Sequence, residues 1–421
     1  FGFSETVYRL PSLIFMGAAL WIVASIAKRS IHPRAGWFAV FTCLALRNFN
    51  YQAADARPYA LGTMLAAFGF WMLARWLDRG SWRPGAAFAL AGTLLWRTHL
   101  IYWPVYIGFA VYACYRLAAR SARVPRLEVA AVFAVIGVSL APVASTAMAI
   151  QRNAAAHVVA DKPGLSDLTG ALALNLVTPL CAAAALMARR HRWITPRLRM
   201  DWALIFCWWL CQPAGLFAFS WITGHSVFVG RYLFVSTPAA ALAAVAAVML
   251  FTPPRHLPRI SAVAAGCVLV FGCHWGHRAV AHHNSDWRGA MVAINRSNRT
   301  GAPVICPSPF IEAKPPVWRP DYPLNSFLYS HLDTYNVDGV KYPFPFEQSE
   351  EAERAAAKLT RSVLARSQRF YILGGDHAVR AWRDWFTARP ELTGWTATPL
   401  GDFRDVEALL MEPPSDPANT H

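Results

Sequence analysis

Charge is scarce in this chain. Only 15% of its 421 residues are Asp, Glu, Lys or Arg, against about 25% in an ordinary soluble domain, and that shortfall excludes a wholly water-soluble fold. Acidic residues are scarcer still, 24 against 40 basic ones, yet no nucleic-acid motif accompanies the basic excess. No cleavable signal peptide is visible, since the sequence opens with FGFSETVYRL rather than a basic n-region. It also lacks an initiator methionine, so an N-terminally truncated chain is expected. No internal repeat of the kind used by many transporters is visible. Cysteines are few and give no framework: Cys43, Cys114, Cys181, Cys207, Cys211 and Cys267 lie in or near apolar runs and read as small hydrophobes. A Cys273–Cys306 disulfide is not expected. His274, His277, His282 and His283 lack the ligand spacing of a zinc site. No cofactor is therefore indicated, with a divalent metal left open.

What is abundant is apolar surface. Hydrophobic residues make up 55% of the chain, with 18 Trp, and the mean hydropathy is +0.29. They collect in ten runs, at 11–27, 35–46, 59–74, 84–96, 100–115, 128–150, 168–188, 202–222, 232–252 and 260–275. Two of these, 35–46 and 84–96, fall short of the ~20 residues a membrane-crossing helix needs, so each is a crossing extended by polar flanks or a re-entrant piece. The expected fold class is a multispanning α-helical membrane protein of about ten helices over residues 1–275. A small α/β soluble domain over residues 276–421 should follow.

Charge placement orients the bundle. Alternate loops at 28–34, 75–83, 116–126, 189–199 and 255–259 hold 17 basic residues. The opposite set holds seven, namely Arg9, Arg47, Arg57, Arg97, Arg152, Lys162 and Arg231. By the excess of Lys and Arg on cytoplasmic loops, the first set is cytoplasmic, and RRHRWITPRLR (Arg189–Arg199) reads as a topology determinant. Phe1 and the C-terminal domain then share the external face, the periplasm of a bacterial inner membrane. The seven external cations run against this rule, and several border apolar runs, where an unpaired charge is costly. Each should have compensation, from anionic lipid phosphate or from an internal carboxylate.

The stretch QAADARPYAL (Gln52–Leu61) concentrates this problem. Pro58 suits the first turn of a helix, where its missing N–H costs nothing, so Arg57 stands at a helix N-terminus that already favours anions. Two readings stay open. Asp55, Arg57 and Tyr59 form either an interfacial cap with Arg57 paired locally, or an anion site.

In the soluble part, helices are expected at 285–297, 349–368 and Asp376–Ala388, with strands at Ala302–Cys306, RFYILG and VEALLME. The Gly-Gly of YILGGDHA is either a tight strand-to-helix turn or a phosphate cradle, and it lacks a full nucleotide fingerprint. An aromatic loop, VWRPDYPLNSFLYSHLDTYNVDGVKYPFPF, suits ordinary packing or stacking on sugar rings.

YQAADARPYAL resembles the aromatic, then acid-x-Arg-Pro-Tyr-Ala-Leu, pattern of the bacterial branch of the dolichyl-phosphate-mannose-protein mannosyltransferase family, the multispanning GT-C glycosyltransferases. SETVYRLPSLIF (Ser4–Phe15), RTHLIYWP (Arg97–Pro104) and VFVGRYLFVSTPA (Val227–Ala239) resemble three further segments of that family in the same order. The resemblance implies a GT-C-like fold and transfer of a sugar from a polyprenyl-phosphate-linked donor at the external face. The acceptor would be a glycan, a lipid or a protein. It also implies roles for matched positions. Arg57 and Arg231 would bind the carrier phosphate, Tyr59 and Tyr232 would orient it or the sugar, and Arg97 with His99 would line the same cavity. The family's catalytic acid lies in the first external loop after the first transmembrane helix, a loop expected to be upstream of Phe1, which leaves Glu5 and Asp55 as weak candidates for a general base. A transporter or flippase and a non-catalytic membrane scaffold are the alternatives.

Overall fold

The computed structural model describes residues 5–53, 55, 57–144, 148, 161–193, 200–279, 285–310, 313, 324 and 327–414, with the side chains of Glu5, Arg47, Asn48, Asp333 and residues 273–279 set aside. The chain divides into two compact units, Phe1–Ala281 and His282–His421.

Each of the ten apolar runs contains helix among its described residues. In chain order the first unit holds α1 (Glu5–Ser30), α2 (Gly36–Ala45), α3 (Arg47–Ala53), α4 (Tyr59–Arg79), α5 (Trp82–Thr98), α6 (Trp103–Ala118) and α7 (Arg126–Val138). There follow α8 (Leu165–Ala171), α9 (Leu174–Arg190), α10 (Trp202–Thr223), α11 (Gly230–Leu233), α12 (Thr237–Met249) and α13 (Leu257–Ala279). Among the described residues four helices are long and apolar enough to cross a bilayer on their own: α1, α4, α10 and the α11–α12 segment. A fifth arises if α8 and α9, bent by 63°, form one broken span. The two short runs resolve differently. The run at 84–96 is extended by its flanks to the 17 residues of α5, whereas that at 35–46 remains the ten residues of α2. At about 15 Å, α2 cannot cross alone, and an extended Leu46 separates it from α3.

Helix α4 is the axis of the site. Its 21 residues span about 30 Å, the thickness of a hydrocarbon core, and it is buried between α1, α5 and α6. Small residues permit the approach to α6. A Cβ on Gly69 would come to 2.6 Å from Phe109 Cζ, and one on Gly62 would overlap the Tyr102 ring. Polar side chains occupy the two ends. At the C-terminal end, Asp78 accepts from Arg29 Nε at 2.9 Å and from Arg116 at 2.8 Å. Asp201 accepts from Tyr112 at 2.7 Å and from Arg29 at 3.2 Å. Two arginines and two carboxylates thus tie α1, α4, α6 and the start of α10 at little net charge, as buried charges require. Tyr59 and its neighbours occupy the other end.

The second unit is a small α/β layer built on a five-stranded mixed sheet: β1 (Val304–Pro307), β2 (Lys341–Phe344), β3 (Phe370–Gly375), β4 (Thr396–Pro399) and β5 (Val406–Glu412), in the order β2-β1-β3-β5-β4. Strand β1 pairs in parallel with β2 and β3, while β5 runs antiparallel to β3 and β4. Helices α14 (Trp287–Ser297), α15 (Ser330–Thr334), α16 (Glu350–Ser362) and α17 (Asp376–Thr387) complete it. The predicted strands at β1, β3 and β5 and the three long helices are present. Strands β2 and β4 were not anticipated.

Candidate functional site

Three helix ends meet beside Tyr59. Helix α4 opens at Tyr59 with Pro58 as its N-cap residue, one position earlier than expected. Helix α5 stops at Thr98. His99 is extended at φ −166°, and the chain re-enters through a 3₁₀ turn (Leu100–Tyr102) into α6, where Pro104 sits in the first turn. The third end is α11, Gly230–Leu233. Their aromatic rings close a triangle: Tyr59 to His99 at 6.3 Å, His99 to Tyr232 at 5.3 Å and Tyr59 to Tyr232 at 6.2 Å between centroids. Such spacings are ordinary for interacting rings, and they bring together residues that the sequence holds far apart.

Two cations flank this aromatic patch, one of them over a ring. The Arg231 guanidinium lies over the Tyr232 ring at 5.1 Å, and Arg57 Nε is 3.6 Å from Asp55 Oδ2. The local pairing expected of an interfacial cap is therefore present, although 3.6 Å is too long for a hydrogen bond and the Arg57 side chain stays 55% exposed. The charges of Arg57 and Arg231 both reach the Tyr59 phenol, and that of Arg231 also reaches Asp55 and His99. His99 is half-buried. Burial, and then the Arg231 charge, lower its pKa, so its ring stays neutral. Its Nδ1 accepts from the Ile101 N–H at 3.3 Å, which puts the ring hydrogen on Nε2 as a donor. Arg97 is exposed in the last turn of α5, with no hydrogen bond or ion pair among the described residues. Glu5 opens α1, and its side chain lies outside the described residues.

The external cations find mixed compensation. Among the described residues Arg57 is the one of them with an ion pair, whereas Arg231 and Lys162 lie on aromatic faces, Lys162 at 4.0 Å from the Trp221 centroid. Arg152 and the Arg47 side chain lie outside the described residues.

Sequence reasoning missed Gln212. This residue lies in the middle of α10, almost wholly buried, and its amide donates to the carbonyl of Ile101 at 3.2 Å and to that of Tyr232 at 3.0 Å. Both carbonyls belong to the chain breaks that carry His99 and Arg231. A second staple, from the Trp208 indole N–H to the carbonyl of Val235 at 2.9 Å, fixes the turn after α11. The signal was available, because a Gln inside an apolar run is expensive unless it is bonded to something.

Other sequence motifs resolve as structure. Gly374 and Gly375 pair with Glu407 and Val406 in the sheet, and Asp376, which opens α17, salt-bridges Arg380 at 2.6 Å. A carboxylate at that helix N-terminus disfavours a phosphate. Of the aromatic stretch at 317–346, residues 327–346 pack as structure, with buried Tyr329 donating to the carbonyl of Phe344 at 2.8 Å, while most of 317–326 and of the histidine cluster lies outside the described residues. Among the described residues, no group of three or more His, Cys, Asp or Glu is placed to hold a metal. A cavity of about 160 Å³ beneath the α8–α9 break is lined by Leu46, Ala173, Asn175 and Thr237, and by none of the triangle residues.

Crossing helices, a bundle interrupted by short and broken segments, and cations gathered at helix ends define an integral membrane protein with the GT-C fold. Residues 1–145 match the family model described as dolichyl-phosphate-mannose-protein mannosyltransferase. That segment carries Arg57, Tyr59, Arg97 and His99, so the resemblance read from the motifs holds there, while Arg231 and Tyr232 lie beyond it. The chain is similar in fold to ArnT from Cupriavidus metallidurans in the apo state, at a TM-score of 0.54 and 12% identity over 96% of this chain and 83% of that one. It is equally similar to the same protein bound to undecaprenyl phosphate, at a TM-score of 0.55 and 12% identity over 97% of this chain and 85% of that one. No curated protein matches the chain.

Proposed function

We propose that this protein is a membrane glycosyltransferase that moves a sugar from a polyprenyl-phosphate carrier to an acceptor at the external, periplasmic face, with Arg57 and Arg231 holding the carrier phosphate. The observation that carries this reading is the ring contact of Tyr59 with Tyr232 at 6.2 Å, which brings the segment bearing Arg57 beside the one whose Arg231 guanidinium lies over Tyr232. The family match over residues 1–145 and the likeness to a structure named for bound undecaprenyl phosphate support it.

In the transfer, the bond from the sugar's anomeric carbon to the phosphate oxygen breaks. A bond from that carbon to the acceptor oxygen forms. Negative charge grows on the departing phosphate, and cations placed where that charge appears stabilise the change more than they stabilise the ground state. Arginine suits the task because its planar fork meets two oxygens at once. Tyr59, Tyr232 and the Nε2 hydrogen of His99 orient the phosphate or the sugar, and Arg97 lines the approach. The acceptor hydroxyl must also lose a proton. Asp55 is engaged with Arg57, which leaves the general base unassigned.

The transporter alternative is less well supported. Among the described residues of the first unit, the ion-paired charges gather at the two ends of α4 rather than at mid-membrane, where a transport pathway would place them. The direct test is sugar transfer by Arg57→Ala and Arg231→Ala in isolated membranes. Each should lower transfer about 100-fold, the usual scale for loss of one charge-stabilising donor, with membrane insertion unchanged. Undiminished transfer in both variants rejects the phosphate site.

A further inference from the structure

At the end of α4 remote from Tyr59, the groove between α1 and α4 forms a cavity of about 620 Å³. Four cations line it, Lys28, Arg29, Arg75 and Arg79, with Asp78 the single carboxylate. Asp78 is already engaged by Arg29 and Arg116. Lys28, Arg75 and Arg79 make no ion pair among the described residues. Four cations and one carboxylate leave the wall at +3.

We propose that this groove binds the headgroup of an anionic glycerophospholipid. The inference is independent of the proposed transfer reaction.

Basic residues in the last turn of a helix complement its dipole, and on cytoplasmic loops they fix topology. Lys28 and Arg79 fit that ordinary role, but Arg75 does not. It stands a full turn before the end of α4, and its guanidinium is held 5.0 Å over the Trp71 ring on the wall of the cavity rather than splayed into water. Trp71 in turn meets Trp21 edge to face at 5.1 Å, and Trp21 remains 62% exposed. A concave pocket with three unspent cations and an indole floor at the end of membrane-crossing helices is the arrangement that receives a lipid phosphate and its glycerol.

A lipid, rather than free phosphate, is favoured by what runs away from the groove. Trp21, Gly17, Ile14 and Leu10 follow one another at helical spacing on α1 and form one stripe. Trp21, Ile14 and Leu10 are 62%, 60% and 51% exposed, and Gly17 has open space where a side chain would be. The eleven helical rises from Leu10 to Trp21 give about 16 Å of apolar track, long enough for an acyl chain whose phosphate sits in the groove.

The full-length protein in neutral detergent would be titrated with phosphatidylglycerol, with phosphatidylcholine and with inorganic phosphate, and binding read by native mass spectrometry and by the shift in melting temperature. Phosphatidylglycerol should bind and raise the melting temperature, while phosphatidylcholine and millimolar phosphate should do neither. The triple variant Lys28→Gln, Arg75→Gln, Arg79→Gln should weaken phosphatidylglycerol binding at least ten-fold. The control triple Arg189→Gln, Arg190→Gln, Arg192→Gln, of equal charge change, should leave it unaltered. Trp21→Ala, which leaves every charge in place, should also weaken it. Equal loss in both triples, equal binding of phosphatidylcholine, or full competition by inorganic phosphate would overturn the proposal.

Discussion

Arg57 and Asp55 stand close enough for each to offset the other's charge, yet not close enough to lock, and that looseness leaves a guanidinium free to turn toward a phosphate. The motif QAADARPYAL offered two readings, a locally paired cap and an anion site, and the structure shows the local pair of the first, with the Arg57 side chain 55% exposed. His99 is legible as a residue but not in its state, because burial and the facing Arg231 come from distant segments. Both lower its pKa, so the ring stays neutral as pH falls below 6.5. An NMR titration of the His99 ring should give a midpoint under 6.5, and one at or above that value contradicts the packing. Gln212 acts one step back, through the two carbonyls it binds. Gln212→Leu should raise KM for the carrier at least ten-fold with a smaller loss in kcat, and Gln212→Asn should restore little, since the shorter amide cannot span both acceptors. A variant with unchanged KM would make Gln212 a packing residue only.

Among the elements, hydrophobic runs gave the helices, while the edges of the sheet stayed hidden. Strands β2 and β4 are short, each carries a proline, and each pairs on one side only. Their identity comes from neighbours in space rather than from local pattern. Helix α2 is the matching case in the membrane unit, since ten apolar residues cannot say whether they cross, and here they pack as a short segment. The glycines of α4 carry a firmer prediction. Tyr102 and Phe109 are buried to within 1%, so neither ring has room to yield to a new methyl group. Gly62→Ala and Gly69→Ala should each destabilise the bundle by about 1–3 kcal/mol, measured as lower melting temperatures in detergent. Gly17→Ala, with nothing within 4 Å of the new atom, should not. Equal shifts in all three would contradict the close approach of α4 and α6.

For the whole molecule, composition separates an apolar N-terminal part from a mixed C-terminal part, and the chain forms the compact units Phe1–Ala281 and His282–His421. The second unit carries its own pH sensitivity. His331 is buried against Trp287, with ring centroids 4.1 Å apart and neither ring nitrogen bonded among the described residues, and burial pushes its pKa down to about 4 from 6.5. The unfolded chain therefore binds the extra proton between those values. Stability is full above pH 6.5 and falls as pH drops toward 4, by about 3 kcal/mol at most. Protection factors of the β1 and β3 amides in the intact protein, taken relative to the intrinsic exchange rate at each pH, should fall over that window, and His331→Phe should flatten the dependence. An unchanged slope in that variant would place the sensitivity elsewhere.

Binding of a polyprenyl phosphate to the purified protein tests the central claim most directly, because it asks only whether one phosphate meets two guanidinium groups. Arg57→Ala and Arg231→Ala should each weaken binding at least ten-fold, and the double variant should lose less than the sum of the two, as expected when two groups share one ligand. Wild-type affinity in both single variants would contradict the account.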